Sequence, residues 1–237
     1  MIDIADVMTG RERWSADTRI PRHAHDTAYA AIVIAGSYEE CGSRGRFDVG
    51  PGYVLLHSAF DAHLDRFSCA GAEILNIALP GHYDIGYGLG FVVDADAIAR
   101  VAERDARSAA AFLREKVVQL KNGPRDWPDL LADDLLNDPD CRLGAWAERH
   151  GLALETISRG FGKVFDMTPA AFRAEARARN ALRRIMHDRA PLADIAAATG
   201  FADQPHMSRA VKALTGATPR AWRSTSNSFK TAAPPAD

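Results

Sequence analysis

The 237-residue chain has only three cysteines, and no two of them stand at the spacing of a metal or redox motif. Cys41, Cys69 and Cys141 are isolated and odd in number, which excludes a disulfide framework and predicts reduced, buried thiols. The sequence also lacks an apolar run long enough to cross a membrane. Asp3 and Asp6 interrupt the residues where a secretory signal would be basic and then apolar. These absences predict a cytoplasmic protein with no membrane partner.

The net charge of −2 is the sum of an acidic N-terminal part and a basic C-terminal part. Residues 1–138 contain 14 lysines and arginines against 22 aspartates and glutamates, a balance of −8. Residues 139–226 contain 14 against 8, a balance of +6. A basic module favours the phosphate backbone of nucleic acid, whereas the acidic half must serve another purpose.

A repeat at a spacing of fifty residues is the most specific pattern in the chain. Residues 147–173 align without a gap on residues 197–223, and both identical and apolar positions coincide. Among the coinciding pairs are Ser158 with Ser208, Arg159 with Arg209, Pro169 with Pro219, Phe161 with Val211, and Phe172 with Trp222. Such a repeat indicates one supersecondary unit that is used twice.

The second copy has the pattern of a helix-turn-helix. Pro191 suits a first helical turn, Gly200 ends that helix, and Asp203 is a good N-cap for the next one. Residues 204–214 then place apolar side chains on one face and polar side chains between them, as a DNA-reading helix requires. Any compact helical domain with solvated arginines would show similar helices, but it would not repeat the whole unit.

Residues 200–209, which read Gly-Phe-Ala-Asp-Gln-Pro-His-Met-Ser-Arg, resemble the signature of the AraC/XylS family of bacterial transcription regulators. Residues 215–219 and the pair Trp222-Arg223 complete the signature. Residues 151–173 look like the first helix-turn-helix of the same family, and residues 177–181 fit its connecting helix. The resemblance covers residues 140–225 and implies two reading helices, joined by a helix over about residues 168–187, that face successive major grooves.

The resemblance also implies which residues touch DNA. The predicted readers are Glu155, Thr156, Ser158 and Arg159 in the first helix, and Gln204, Pro205, His206 and Arg209 in the second. Arg173 and Arg223, at matching helix starts, are the candidates for phosphate contacts. Glutamine pairs well with adenine and arginine with guanine, so the second helix is the more informative reader. Ala153 replaces the capping aspartate, and Gly160 and Gly162 lie within the first helix, so we expect a softer first unit.

The N-terminal part has the pattern of an all-β sandwich or barrel. Strand signals occur at residues 31–34, 53–56 and 72–79, with glycines between them. His23, His25, Tyr29 and Gly36 resemble the first cupin motif, with Tyr29 in its acidic position. Residues 50–56 and His63 resemble the second motif, although Ser58 and Phe60 replace its usual proline and glycine. Many regulators of this family carry a cupin-like barrel as their sensing domain.

Two interpretations of these histidines stay open. His23, His25 and His63 are candidate ligands of a divalent metal, with one coordination position left open, and the sequence indicates no other cofactor by name. The same side chains could instead line an organic effector pocket, for which Tyr29 and His57 are further candidates.

Residues 94–120 predict a helical connection. Ile98, Val101, Phe112, Leu113, Val117 and Leu120 would share its apolar face. Asn122-Gly123-Pro124 ends this segment, and residues 127–136 predict a second short helix. Such helices could form a homodimer interface, or they could pack on their own barrel.

The sequence therefore predicts an α+β protein. Its expected parts are a cupin-like sensor (1–92), a helical linker or dimerisation region (93–138), a double helix-turn-helix domain (139–225) and a flexible tail (226–237). The expected function is that of a transcription regulator, an activator or a repressor, and not that of an enzyme. Its expected partners are double-stranded DNA, a small-molecule effector and RNA polymerase. The alternative is a cupin metalloenzyme fused to a DNA-binding tail.

Overall fold

The computed structural model describes residues 3–5, 9–43, 45–79, 88–121, 126–138 and 141–224. The chain divides between Pro169 and Ala170 into two compact units, which are described separately. No helix in the described ranges is both long and apolar enough to span a bilayer. The expected tail over residues 226–237 and the helix-ending run at residues 122–124 lie outside the described residues.

The first unit is built on one sheet of nine strands. They are β1 Asp3–Ala5, β2 Gly10–Trp14, β3 Arg19–His25, β4 Tyr29–Gly42, β5 Gly45–Val49, β6 Tyr53–His57, β7 His63–Ala78, β8 Gly88–Phe91 and β9 Val118–Leu120. The main order is β1-β3-β7-β4-β6-β8-β9, while β2 also pairs with β7 and β5 with β4. All pairs are antiparallel except β1 with β3. The expected strands at residues 31–34, 53–56 and 72–79 are confirmed within β4, β6 and β7.

The long strands β4 and β7 change partners at irregular points halfway along. The first half of β4 pairs with β6 and the second half with β5, and the register between β4 and β7 shifts around Gly36. Gly36 has a φ of +72°, and a Cβ there would lie 2.1 Å from the carbonyl oxygen of Gly71. Only glycine fits such a close approach of two backbones.

Alternate residues of these strands enter two different cores. Ala30 and Ile32 belong to a helix-side core, together with residues of α1 (Ala95–Ala102) and α2 (Ala106–Lys116). Tyr29, Ala31 and Val33 belong to an inner core whose buried members all come from strands or strand ends. The two faces of the sheet are therefore both buried.

The connection after β8 is not the single helical segment that the sequence predicts. Asp105 accepts hydrogen bonds from Arg107 N and Ser108 N and so begins α2 anew after α1. The prediction for Leu120 was wrong, because it lies in β9, which pairs with β8. Ile98 and Leu113 are buried against the sheet, so the apolar stripe packs on its own domain. The thiol prediction was partly wrong, since Cys69 is exposed while Cys41 and Cys141 are buried.

The remaining elements are helical. They are α3 Trp127–Asn137, α4 Leu143–Arg149, α5 Leu154–Phe165, α6 Pro169–His187, α7 Leu192–Ala198 and α8 Gln204–Thr215, and residues 219–224 are also helical. Both α5 and α8 have 12 residues and stand fifty positions apart, as the repeat predicts. The α+β class, with a β-rich N-terminal part and a helical C-terminal part, is confirmed.

Candidate nucleic-acid interface and buried histidine cluster

The second reading unit consists of α7, a tight turn and α8. Gly200 stands in the turn with a φ of +76°, and Phe201 behind it is buried. The Asp203 carboxylate then accepts a hydrogen bond of 2.6 Å from His206 N and caps α8. This cap satisfies a backbone donor that would otherwise lack a partner at the helix start. The local sequence thus fixes where the second reading helix begins.

The face of α8 that the sequence assigns to DNA is accessible. Met207, Val211 and Leu214 are buried on the opposite face. Of the four predicted readers, Pro205, His206 and Arg209 are exposed and Gln204 is half-buried. The helix therefore presents an amide, an imidazole and a guanidinium on an otherwise packed element, which is the side-chain chemistry that base edges accept.

The first reading unit has the same plan with one weaker start. Ala153 precedes α5 without a side-chain cap, as the sequence predicts. Glu155, Thr156, Ser158 and Arg159 are all exposed, whereas Ile157, Phe161 and Phe165 are buried. Despite its two glycines, α5 is continuous from Leu154 to Phe165. The predicted readers of this helix are therefore free to meet a ligand.

The two arginines assigned to phosphate are only half-buried, and one of them has a structural contact. Arg223 Nη2 donates a hydrogen bond of 2.8 Å to the carbonyl oxygen of Ala190, before α7. Trp222 beside it is also half-buried, and its Nε1 donates to the Thr215 hydroxyl at 2.8 Å. Arg223 therefore links two helices of the second unit whether or not it also touches DNA.

The histidines predicted as metal ligands lie together inside the β-domain. His23 and His25 share one face of β3, and His63 of β7 is the register partner of His23. The ring centroids of His23 and His63 are 4.3 Å apart, and those of His25 and His63 are 5.5 Å apart. Nitrogens of all three lie within 4.8 Å of one another. The predicted convergence of the three imidazoles is present.

Tyr29 and His57, the predicted pocket residues, belong to the same cluster. Their rings stack at 4.3 Å with an interplanar angle of 8°. The Tyr29 hydroxyl lies 3.2 Å from His63 Nε2, while His63 Nδ1 faces the carbonyl oxygen of Asp61 at 3.3 Å. A carbonyl can only accept, so Nδ1 carries the proton and the Tyr29 hydroxyl donates to Nε2. We call His23, His25, His57, His63, Tyr29 and Glu40 the histidine cluster.

Glu40 is the member that the sequence did not reveal. Its side chain is buried, Oε2 lies 3.5 Å from His57 Nε2, and Oε1 has no hydrogen-bond partner among the described residues. Asp65, its register partner on β7, is also buried, and its Oδ1 likewise has no partner in the part of the chain that the structure describes. Buried polar atoms without partners are uncommon in folded proteins and call for an explanation such as an ion.

Burial favours the neutral forms throughout the cluster. It lowers the pKa of His57 and His63 well below 6.5, and the neighbouring histidines lower both further. It raises the pKa of Asp65 to about 8, and the pKa of Glu40 is raised well above its usual value by burial and then by the charges of Asp65 and Asp61. The contact between His57 and Glu40 is therefore not a strong ion pair. Neutral imidazoles are the form that binds metal ions.

The donor atoms of the cluster suit a divalent transition-metal ion, although the acidic ligand of the first cupin motif is missing. Tyr29 stands where the resemblance puts an acidic ligand, and burial raises the pKa of its phenol well above 10, so the phenol would remain protonated. The orphaned oxygen of Glu40 supplies a carboxylate from elsewhere in β4. Imidazole and carboxylate donors together suit zinc, iron, cobalt or nickel. Any ion here would be held by residues of several strands.

Comparison with known proteins identifies the C-terminal part of the chain. Residues 146–225 match the family model described as a helix-turn-helix domain. The helix-turn-helix region that the sequence predicts is confirmed over these residues. No curated protein matches the chain.

Three solved structures illustrate the range of similarity. The C-terminal domain of AraT, a response regulator from Geobacillus stearothermophilus, is 20% identical, with coverage of 41% of this chain and 84% of that one and a TM-score of 0.38. Fatty-acid-bound ToxT from Vibrio cholerae is 11% identical, with coverages of 91% and 94% and a TM-score of 0.41. An AraC-type transcriptional regulator from Chromobacterium violaceum is 19% identical, with coverages of 40% and 88% and a TM-score of 0.38.

Proposed function

We propose that this chain, whose residues 146–225 form an AraC-type helix-turn-helix domain, is a transcription regulator that reads two successive major grooves under the control of its β-domain. The observation that carries the proposal is the capped helix α8, with its packed apolar face and its exposed His206 and Arg209. The positive balance of residues 139–226 supports attraction to the phosphate backbone.

The proposed DNA contacts follow from the exposed faces of the two reading helices, α5 and α8. Helix α5 reads with Glu155, Thr156, Ser158 and Arg159, and helix α8 reads with Gln204, Pro205, His206 and Arg209. Arg173 and Arg223 contact phosphates. The histidine cluster receives a metal ion or a small effector, with RNA polymerase as the downstream partner and a second copy of the chain as the partner in a homodimer. The chain works in the cytoplasm and catalyses no reaction.

The first prediction concerns base reading. Arg209→Ala should cost about 1–3 kcal/mol at the selected operator and almost nothing on random DNA, because a guanidinium that contacts a guanine edge contributes only at the right base. The operator is first obtained by selecting DNA fragments with the purified full chain, and affinities are then measured at fixed salt. Arg183→Ala removes the same charge from an exposed position on α6 and should leave discrimination unchanged. Equal losses on operator and random DNA for Arg209→Ala would refute base reading.

A contact within the first unit suggests how the β-domain controls α5. Arg66 of β7 donates hydrogen bonds of 3.0 and 2.9 Å to the carbonyl oxygens of Lys163 and Val164, near the end of α5. Glu39 of β4 holds the same guanidinium at 2.7 Å. A cation is well placed at a helix C-terminus, where carbonyl groups lack partners.

This contact lies directly behind the histidine cluster. Glu39 is the register partner of Arg66, and the next pair in the same direction along β4 is Glu40 with Asp65. Successive side chains of a strand point to opposite faces, so one pair lines the cluster while its neighbour holds α5. We infer that a ligand in the cluster acts on α5 through these two adjacent pairs.

The second prediction tests this coupling. Arg66→Gln should release α5 and strengthen binding to the full operator by about 5-fold or more, the usual range of an allosteric coupling. Binding to DNA that holds only the α8 half-site should not change. Arg19→Gln, on the neighbouring strand β3 and exposed, removes the same charge as a control. If both variants bind like the parent protein, the contact does not restrain α5.

The metalloenzyme alternative makes a different prediction. A fused enzyme would bind DNA independently of its metal centre, whereas a sensor would not. Operator affinity is therefore compared for the parent protein and a His63→Ala variant, which lacks the imidazole at the centre of the cluster. An unchanged affinity, with and without added zinc, would favour the enzyme.

A further inference from the structure

We propose that Glu40, His57 and His63 form a divalent-metal site of their own, deeper than the set of His23, His25 and His63, and that the shared His63 allows only one of the two to be filled at a time. Both sets have ligand atoms within 4.8 Å of one another. The inner site uses a carboxylate and an imidazole that neither cupin motif contains. The inference does not depend on the DNA-reading helices.

The inner set is assembled from three different strands. Glu40 lies on β4, His57 on β6 and His63 on β7, so each ligand comes from a fixed backbone position. His57 and Glu40 already approach to 3.5 Å through Nε2 and Oε2. Ligand atoms of a tetrahedral zinc ion that are about 2.0–2.2 Å from the metal are separated by about 3.3–3.6 Å. Glu40 and His57 therefore already stand at the separation that two ligands of one ion require.

Glu40 is the second observation that points to an ion. Its Oε1 is buried and has no hydrogen-bond partner within the described ranges, although the desolvation of such an atom is costly. The side chain is 2% exposed, so solvent does not satisfy it. A bound cation would both satisfy this oxygen and favour the ionised carboxylate.

The charge of the surroundings favours the inner set over the outer one. A divalent ion on His23, His25 and His63 would have three neutral ligands. On the inner set the same ion would gain the Glu40 carboxylate, with the Asp65 carboxyl group beside it in register. An opposite charge next to a buried cation offsets part of the cost of its desolvation.

His63 makes the two sets mutually exclusive. Its Nδ1 is directed at the carbonyl oxygen of Asp61, so a metal would bind Nε2 in place of the Tyr29 hydroxyl that donates to it. One nitrogen has one lone pair and can serve only one ion. His23 and His25 are half-buried whereas His57 and His63 are buried, so the outer set lies nearer the solvent. An entering ion would therefore reach the outer set first. It would then move to the inner set, with His63 as a ligand in both positions.

The experiment titrates the full-length, untagged protein with Co²⁺ after removal of metals by a chelator. Cobalt absorption reports the coordination, and equilibrium dialysis gives the stoichiometry. We expect one ion per chain. Glu40→Gln, which keeps the shape of the side chain, should weaken binding by about 100-fold or more, since loss of even an outer-shell partner costs about 10–100-fold. His63→Ala should abolish binding. Thermal melting without metal checks that each variant folds.

His25→Ala is the matched control, because it removes a ligand of the outer set only. It should change the affinity by less than about 3-fold, well below the loss expected for a ligand. The opposite result, in which His25→Ala abolishes binding and Glu40→Gln leaves it unchanged, would place the ion at the outer set. Two ions per chain would overturn the exclusive use of His63. No binding by the parent protein would overturn the inner site itself.

Discussion

Gly36→Ala should destabilise the β-domain by about 3 kcal/mol or more, because a left-handed backbone conformation and a steric clash act together. The added Cβ would lie 2.1 Å from Gly71 O and 2.8 Å from Ala72 Cα, and both obstacles are backbone atoms that no rotamer change can move. A loss of this size is a large share of the 5–15 kcal/mol by which proteins are typically stable. Urea unfolding, followed by tryptophan fluorescence, measures it.

Gly10→Ala is the control for the same substitution in the same domain. Gly10 lies on β2, and its added Cβ would meet no described residue within 4 Å. Its unfolding midpoint should stay close to that of the parent protein. If Gly36→Ala and Gly10→Ala have the same unfolding midpoint, the close approach of β4 to the Gly71 carbonyl does not require glycine at position 36.

The C-terminal units were largely predictable because their signals are local. A cap such as Asp203, a turn glycine such as Gly200 and apolar positions at helical spacing each act within one or two turns. The repeat then extends the same plan to the first unit over residues 151–173. What the sequence could not supply is the contact of Arg66 with the end of α5, since it joins residues almost a hundred positions apart.

The inward-facing residues of the β-domain were predictable only in part, because the alternation of inward and outward side chains is interrupted near Gly36 of β4. Tyr29, Ala31 and Val33 face the inner core at odd positions of β4, but beyond Gly36 the inward positions are even, as Tyr38 shows. A bulge shifts the phase of a strand by one residue. Glu40 therefore points into the cluster although simple alternation from Tyr29 would place it outside.

The strand β9 in the connection after β8 could not be predicted from the sequence for a different reason. Val117 and Val118 continue the apolar pattern of a helix, yet the chain is already extended at Val117 and β9 pairs with β8. Branched side chains are stiff in helices and fit strands well. The choice between helix and strand was decided by an available sheet edge, which only the folded protein reveals.

Gly160→Ala and Gly162→Ala should change stability in opposite directions, although both lie in α5. Each alanine gains about 1 kcal/mol of helix propensity. At Gly162 the added Cβ would lie 3.9 Å from Met167 O, its one neighbour within 4 Å among the described residues, so the gain should remain. At Gly160 it would lie 2.4 Å from Cζ2 of Trp127 in α3, and overpacking of this kind typically costs about 1–3 kcal/mol. Glycine is thus required at position 160 because a larger residue would clash with Trp127, and it does more than lower the helix propensity of α5.

Urea unfolding of both variants and a double variant tests this explanation. Gly160→Ala combined with Trp127→Ala removes the ring, so the alanine at position 160 should then be neutral or stabilising relative to Trp127→Ala alone. Such non-additivity is expected only for residues in contact. If Gly160→Ala destabilises equally with and without the tryptophan ring, the clash is not the cause. If both single variants stabilise the protein, α3 and α5 do not pack through Gly160.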